Sequence, residues 1–274
     1  MLRSKHHRRP GLTLMELVVV LVILAALAAL LVPRLGFIRD SADAATSAAG
    51  SAELANNLEI YKATTGSYPL RMDSLLLTGS SLYDRFSSTG ASASAPSWLV
   101  MEDLGTTTGP SGQAGGFWYS VVRGGATVVM DHIAYTDGSD PSSSGQTLRD
   151  YGAATANGKT AVVNVAATGS AATTVGRIVE ASGFTTATIP ANVKLVAFGI
   201  GPKCGLVGQT MTNVPRHSAQ PAEYYGRFIA IFAAYDHGFS AAVKPMQLRC
   251  VVDSRGFPVD YRVNQHKLTS PKQE

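Results

Sequence analysis

Apolar positions change their spacing twice along this chain. From Leu17 to Val32 sixteen apolar residues follow one another unbroken, LVVVLVILAALAALLV. The segment from Leu12 to Pro33 has 22 residues, about 33 Å as a helix and enough to cross a bilayer core of roughly 30 Å. Between Arg34 and Thr65 the pattern thins to one stripe, with Ile38, Ala42, Ala45, Ala49, Ala52, Leu58 and Tyr61 at three- and four-residue spacings. Alanine, the best helix former, holds that stretch with little bulk. Gly66 supplies a left-handed cap and Pro69 prevents continuation. Together the two stretches predict one helix from Leu12 to Thr65, about 81 Å long. A membrane-rooted stalk needs such a helix; a soluble globular fold does not.

Beyond Gly66 the periodicity becomes that of strands. Phe117–Val122, Ala126–Met130, Ala161–Ala166, Lys194–Ile200, Phe228–Ala234, Leu248–Val252 and Val259–Val263 are rich in Val, Ile, Phe and Tyr. Asp253-Ser254-Arg255-Gly256 is a hairpin turn between the last two. Residues 70–79 read as a short helix closed by Gly79, and Ser80–Gly116 mostly as loop, with Trp98–Met101 a short packed segment. Thr136–Gly145 is loop, dense in turn formers. With no repeated strand–helix alternation, the expected class is α+β, a long helix against a mainly antiparallel sheet.

Charge removes one class of partner. The formal +4 arises from 23 basic and 19 acidic side chains. Arg3, Lys5, Arg8 and Arg9 lie in the first eleven residues, which hold no acid. The remainder is therefore neutral, and a pI near 9.1 does not signal nucleic-acid binding.

The basic leader would stay cytoplasmic and the C-terminal bulk be exported. A cleaved secretory signal peptide, with Ala26-Leu27-Ala28 as its cleavage site, is the plainer alternative. Against it, the apolar run continues past that triplet and Glu16 sits inside the apolar stretch. No Lys or Arg follows Glu16 until Arg34, and a carboxylate in a membrane helix is costly and usually functional. A cut before Leu12 would create an α-amino group about 6 Å along the helix from it.

Gly11-Leu12-Thr13-Leu14-Met15-Glu16 followed by this helix resembles the signal of type IV pilins and type II secretion pseudopilins. The resemblance implies cleavage between Gly11 and Leu12 by a prepilin peptidase, N-methylation of Leu12, a filament-assembly role for Glu16 and a helix kink at Pro33. The family most often begins its mature chain with Phe, where this chain has Leu12. Asn57-Leu58-Glu59-Ile60-Tyr61-Lys62, then Thr65-Gly66-Ser67-Tyr68-Pro69 and Leu75, resembles the helix end and first loop of the major pseudopilin. The implied organisation is a leader over 1–11, a transmembrane and filament-core helix over 12–33, its amphipathic continuation over 34–66, and a β-rich pilin-like domain over 67–274.

The implied work is structural: a pseudopilin of a periplasmic pseudopilus that exports proteins, or alternatively a major or minor type IV pilin for adhesion, motility or DNA uptake. Its partners would be other copies, minor pseudopilins, the prepilin peptidase and an inner-membrane assembly platform. It would span the inner membrane once before assembly. The domain is long for a major pseudopilin, which keeps minor subunits in play.

An exported domain places Cys204 and Cys250 in an oxidising space, and both lie beside strand segments, so a disulfide is expected. Asp131, His132, Asp137 and Asp140 are hard or borderline ligands, and major pseudopilins commonly hold calcium. They do not align with that family's calcium loop, so no ligand and no cofactor is assigned. Asp131-His132, Asp236-His237 and His217 raise the rival of an anchored enzyme, but no Gly-x-Ser-x-Gly, His-Glu-x-x-His or Walker loop accompanies them. The expected answer is no enzyme.

Overall fold

The computed structural model describes residues 14–77, 81–83, 97–105, 116–132, 146–151, 158–184, 189–216, 225–236 and 244–258, without the side chains of 30–44, 146 and 147. The elements are α1 (Leu14–Thr65), β1 (Met72–Leu77), β2 (Ser81–Leu82), β3 (Leu99–Asp103), α2 (Gly116–Arg123), β4 (Val128–His132), β5 (Gln146–Asp150), β6 (Lys159–Val163), α3 (Gly169–Ala181), β7 (Val193–Gly199), β8 (Ile229–Tyr235) and β9 (Gln247–Val252). The chain divides into two compact units, Met1–Asp43 and Ala44–Glu274.

In the first unit every described side chain from Leu14 to Ala29 is exposed, Leu14 at 82% and Val18, the least, at 47% among the large apolar ones. A helix apolar on every side and covered on none is built to be enclosed by lipid or by other helices. Among the described residues no helix is long and apolar enough to cross a membrane. The described side chains at this end stop at Ala29, so the span expected over 12–33 reaches beyond them on both sides. Pro33 lies within α1, outside the described side chains, as do Gly11 and Leu12 outside the described residues.

In the second unit nine strands form one sheet in the order β3-β6-β7-β1-β4-β5, with β8 on the other edge of β7, β9 beyond it, and β2 beside β1. Among these strands only β1 and β4 run parallel; the other pairings are antiparallel. The fold is thus α+β with a mixed, mostly antiparallel sheet. Alternate residues of β7 and β8 serve opposite faces, as a period of two requires. Val196, Phe198, Ala230 and Phe232 pack with Leu54, Leu58 and Tyr61 of α1 and Trp118 and Val121 of α2. Leu195, Ala197, Ile229 and Ile231 pack with Val175, Ile178 and Val179 of α3. Helices therefore cover both faces, and all seven residues of β8 are buried.

Gly66 closes α1 as expected, at φ 82°, its amide bonded to the Lys62 carbonyl at 2.8 Å. Three expectations are corrected. Phe117–Val122 is helix, not strand: the β-branched and aromatic run folds as α2 because Trp118 and Val121, three apart, share a buried face. Residues 72–77 are strand, not helix, since the Tyr68 and Arg71 amides bond the Gly124 and Val128 carbonyls and lay the chain along β4. The Cys204–Cys250 disulfide is absent, both residues being thiols. Cys204 sits in the cluster under α1 and Cys250 packs against the one under α3, so the sheet separates them. Val259–Val263 and Thr136–Gly145 lie outside the described residues. β5 and α3 have no counterpart in the expectations.

Burial pushes the Cys204 thiol up to about 12, from an ordinary 9.0, against the Leu206 amide. A group raised on folding contributes stability that is complete below its unfolded value and fades as pH rises through the folded one. Wild-type stability should therefore fall from pH 9 upward with an extra slope near 1.4 kcal/mol per pH unit that Cys204→Val lacks. Chemical denaturation at pH 8, 9 and 10 reads this, and parallel slopes would count against it. At pH 8 a thiol reagent should modify Cys250, half-buried, well before Cys204.

Candidate functional site

At the N-terminal end, Glu16 stands two residues after Leu14, where the described part of α1 begins. Four residues earlier stands Leu12 and five earlier Gly11. Gly11 and Leu12 lie outside the described residues, and Glu16 stands near the start of a described helix whose side chains are exposed as far as Ala29.

The second motif meets at one hydroxyl. Tyr68 is 1% exposed, and its OH donates to Glu59 Oε1 at 2.8 Å while accepting from Lys62 Nζ at 3.0 Å and the Leu248 amide at 2.8 Å. Lys62 Nζ also stands 4.5 Å over the ring, and Phe232 meets its edge. Burial raises the Tyr68 hydroxyl well above its ordinary range, the Leu248 amide opposes this, and Glu59 adds to it. The hydroxyl therefore stays protonated and ties the end of α1 to β9. Glu59, Lys62 and Tyr68 thus act as a splice between helix and sheet.

A third constellation was only half visible in the sequence. Asp131 and His132 adjoin in sequence but point to different partners. His132 Nε2 lies 2.7 Å from Asp73 Oδ2, and the Tyr225 hydroxyl donates to that same oxygen at 3.1 Å. Tyr83 stacks on the imidazole, centroids 4.0 Å apart. Asp131 accepts from Ser74 Oγ at 2.5 Å and pairs with Arg149 Nε at 2.8 Å. Burial raises the Asp131 carboxyl, with Ser74 and Arg149 opposing. Burial, then Asp73, drives the Tyr225 hydroxyl far above its usual value, which keeps it a donor. Asp73, Ser74, Asp131, His132 and Tyr225 are all at most 3% exposed.

This network completes the sheet where its ladder lapses. The register of β1 on β4 slips between Asp73 and Leu77, and Leu75 adopts φ 60°. Asp73 Oδ1 and Ser74 Oγ accept the Leu75 and Leu76 amides released there, at 2.9 and 3.2 Å. Asp73, Ser74, Arg149 and Tyr225 carried no local signal, since Asp73 and His132 are 59 residues apart. Among the described residues no group of His, Cys, Asp and Glu is placed to hold a metal ion. Asp137, Asp140, His217 and His237 lie outside the described residues.

Residues 6–32 match the family model of the prokaryotic N-terminal methylation motif. No curated protein and no solved structure matches the chain. The match contains Gly11, Leu12 and Glu16, and the chain carries at its N-terminus a type IV pilin-like, prepilin-type signal.

Proposed function

We propose that the chain is the precursor of a pilin-like filament subunit, a type II secretion pseudopilin that assembles with its own copies into a periplasmic pseudopilus. The observation that carries this is the methylation motif over 6–32, running into a helix whose described apolar side chains are all exposed from Leu14 to Ala29. A prepilin peptidase removes residues 1–11 and methylates Leu12. The precursor waits in the inner membrane, leader inside and sheet domain outside. On assembly the Leu12 amine meets the Glu16 carboxylate of the adjoining copy, and lipid around the apolar helices is replaced by other helices. The length of the domain after Leu75 keeps a minor or specialised subunit, in a pseudopilus or a type IV pilus, as the second reading.

Intact-mass analysis of the protein isolated from cells tests this. The wild type should begin at Leu12 and carry one added methyl group, and Gly11→Ala should retain its leader. A wild-type chain that begins at Ala29, or a Gly11→Ala chain with the same mature mass as wild type, would return the segment to an ordinary signal peptide.

A further inference from the structure

The part of α1 that packs on the sheet keeps one face outward. Leu54, Leu58 and Tyr61 are buried, while Ala45, Ala49, Ala52, Glu53, Asn56 and Ile60 are exposed, at the spacing of one helical stripe. Past Gly66 the chain folds back beside the last turns of this helix. The Tyr68 hydroxyl donates to Glu59, and the Leu70 carbonyl accepts the Gly205 amide at 2.8 Å. Leu70, Arg71 and Lys203 make an exposed knuckle there. Arg71 holds φ 60°, a left-handed conformation that glycine takes without strain, and strain at an exposed arginine is consistent with a use for its guanidinium. Ile60 is 53% and Leu70 44% exposed, two of the four large apolar side chains that the second unit exposes among its described residues. None of Glu53, Arg71 and Lys203 takes part in an ion pair among the described residues.

We propose that the knuckle of one copy docks on the outward α1 face of a second copy, Arg71 pairing with Glu53 and Leu70 resting on Ala49 and Ala52. The contact rests on the filament reading above and names the surfaces that such a filament joins. Charge selects the occupant. The face exposes the acids Glu53 and Glu59, and its one cation from Ala45 to Thr65, Lys62, is half-buried and bonded to Tyr68; the knuckle carries Arg71 and Lys203. The two surfaces differ, so the contact is head-to-tail and leaves one of each free for the next copy. Its step follows from the fold. A carbon added at Gly205 would lie 3.4 Å from the Leu70 carbonyl oxygen and 3.6 Å from the Tyr61 hydroxyl. Tyr61 stands eight residues beyond Glu53, and its side chain leans back toward the helix N-terminus, which sets Arg71 about 8–12 Å beyond Glu53 along the axis. Successive parallel copies are offset by that distance, and an axial offset builds an open filament rather than a closed ring.

Charge reversal tests the pairing in cells that make the full chain. Glu53→Arg and Arg71→Glu should each lower the yield of sheared filaments about tenfold, because like charges then meet at every contact. The double variant should recover to within about threefold of wild type, its charges being exchanged but still opposite. Both positions are exposed, so every variant should melt like wild type and begin at Leu12 by intact mass. Single reversals without effect would overturn this contact and leave the filament reading in place. A double variant no better than the single ones would overturn it too, and would assign the charges to a partner other than a second copy. Independently, a short bifunctional thiol reagent should join Glu53→Cys chains to Arg71→Cys chains expressed together, well above the wild-type background, and absence of that product also overturns the contact. A wild type that forms no filament would remove both readings.

Discussion

Glu16→Ala should leave the precursor in the membrane and cleaved at Gly11, yet reduce filament yield by more than about a hundredfold. The acid lies in a stretch otherwise apolar from Leu12 to Val32 apart from Thr13, so its removal makes the segment more hydrophobic and membrane insertion does not suffer. The proposed cleavage is at the Gly11–Leu12 bond, which the change leaves alone. Assembly is where the carboxylate acts in the proposed filament, receiving the new amine of the adjoining copy. Removing one partner of a buried charge pair costs about 3–5 kcal/mol, because the other charge stays behind in the apolar medium. At every subunit addition that is a factor of more than about one hundred in the equilibrium constant. Quantifying sheared or sedimented filaments against membrane-held subunits measures it. Wild-type yields from Glu16→Ala would remove the pairing and leave the acid without an assembly role. Glu16→Gln separates charge from shape, and loss in both variants assigns the effect to charge.

The parts of this molecule that one stretch of sequence can specify were legible, and those that need two were not. Gly66 and Pro69 end α1 by local geometry alone, and the cap forms where expected. β7, β8 and β9 were legible because runs such as Ile229–Tyr235 are apolar at every position and suit a strand covered on both faces. The same logic misled at Phe117–Val122. There strand-forming residues carry helical spacing, with Trp118 and Val121 inward, and tertiary burial decided the outcome. At residues 72–77 leucine-rich helix propensity lost to amides committed to Gly124 and Val128, contacts that no window of sequence contains. The candidate site divides in the same way. Gly11, Leu12 and Glu16 lie within one unbroken stretch, residues 6–32, that matches the methylation motif, and a motif of that kind needs no second stretch of sequence. The Tyr68 splice was visible as a motif but not as a mechanism, because the Leu248 amide arrives from 180 residues away. Asp73, Ser74, Arg149 and Tyr225 were invisible, being ordinary residues until the sheet gathers them around Asp131 and His132.

Asp73→Ala should be the most destabilising single change in the sheet domain, lowering its melting temperature by roughly 8–15 °C. Three donors depend on that carboxylate: the Leu75 amide on Oδ1, and on Oδ2 the Tyr225 hydroxyl and the His132 edge. Asp73, Leu75 and Tyr225 are within 1% of complete burial, so water does not replace the lost acceptor. An unsatisfied buried polar group costs about 1–3 kcal/mol, and several in one network about 3–5 kcal/mol together. For a domain of this size each kcal/mol shifts the midpoint by about 2–4 °C, which sets the expected range. Tyr225→Phe deletes one donor and leaves Asp73 its other partners, so it should cost about 1 kcal/mol. Gly199→Ala should rival Asp73→Ala by a different route, because a side-chain carbon there would run into the Tyr225 hydroxyl and push it off Asp73. Near-ultraviolet circular dichroism of Trp98 and Trp118 in the full chain reports the midpoint for each variant. An Asp73→Ala midpoint within about 3 °C of wild type, the equivalent of about 1 kcal/mol, would show that the bulge in β1 holds without its buried network.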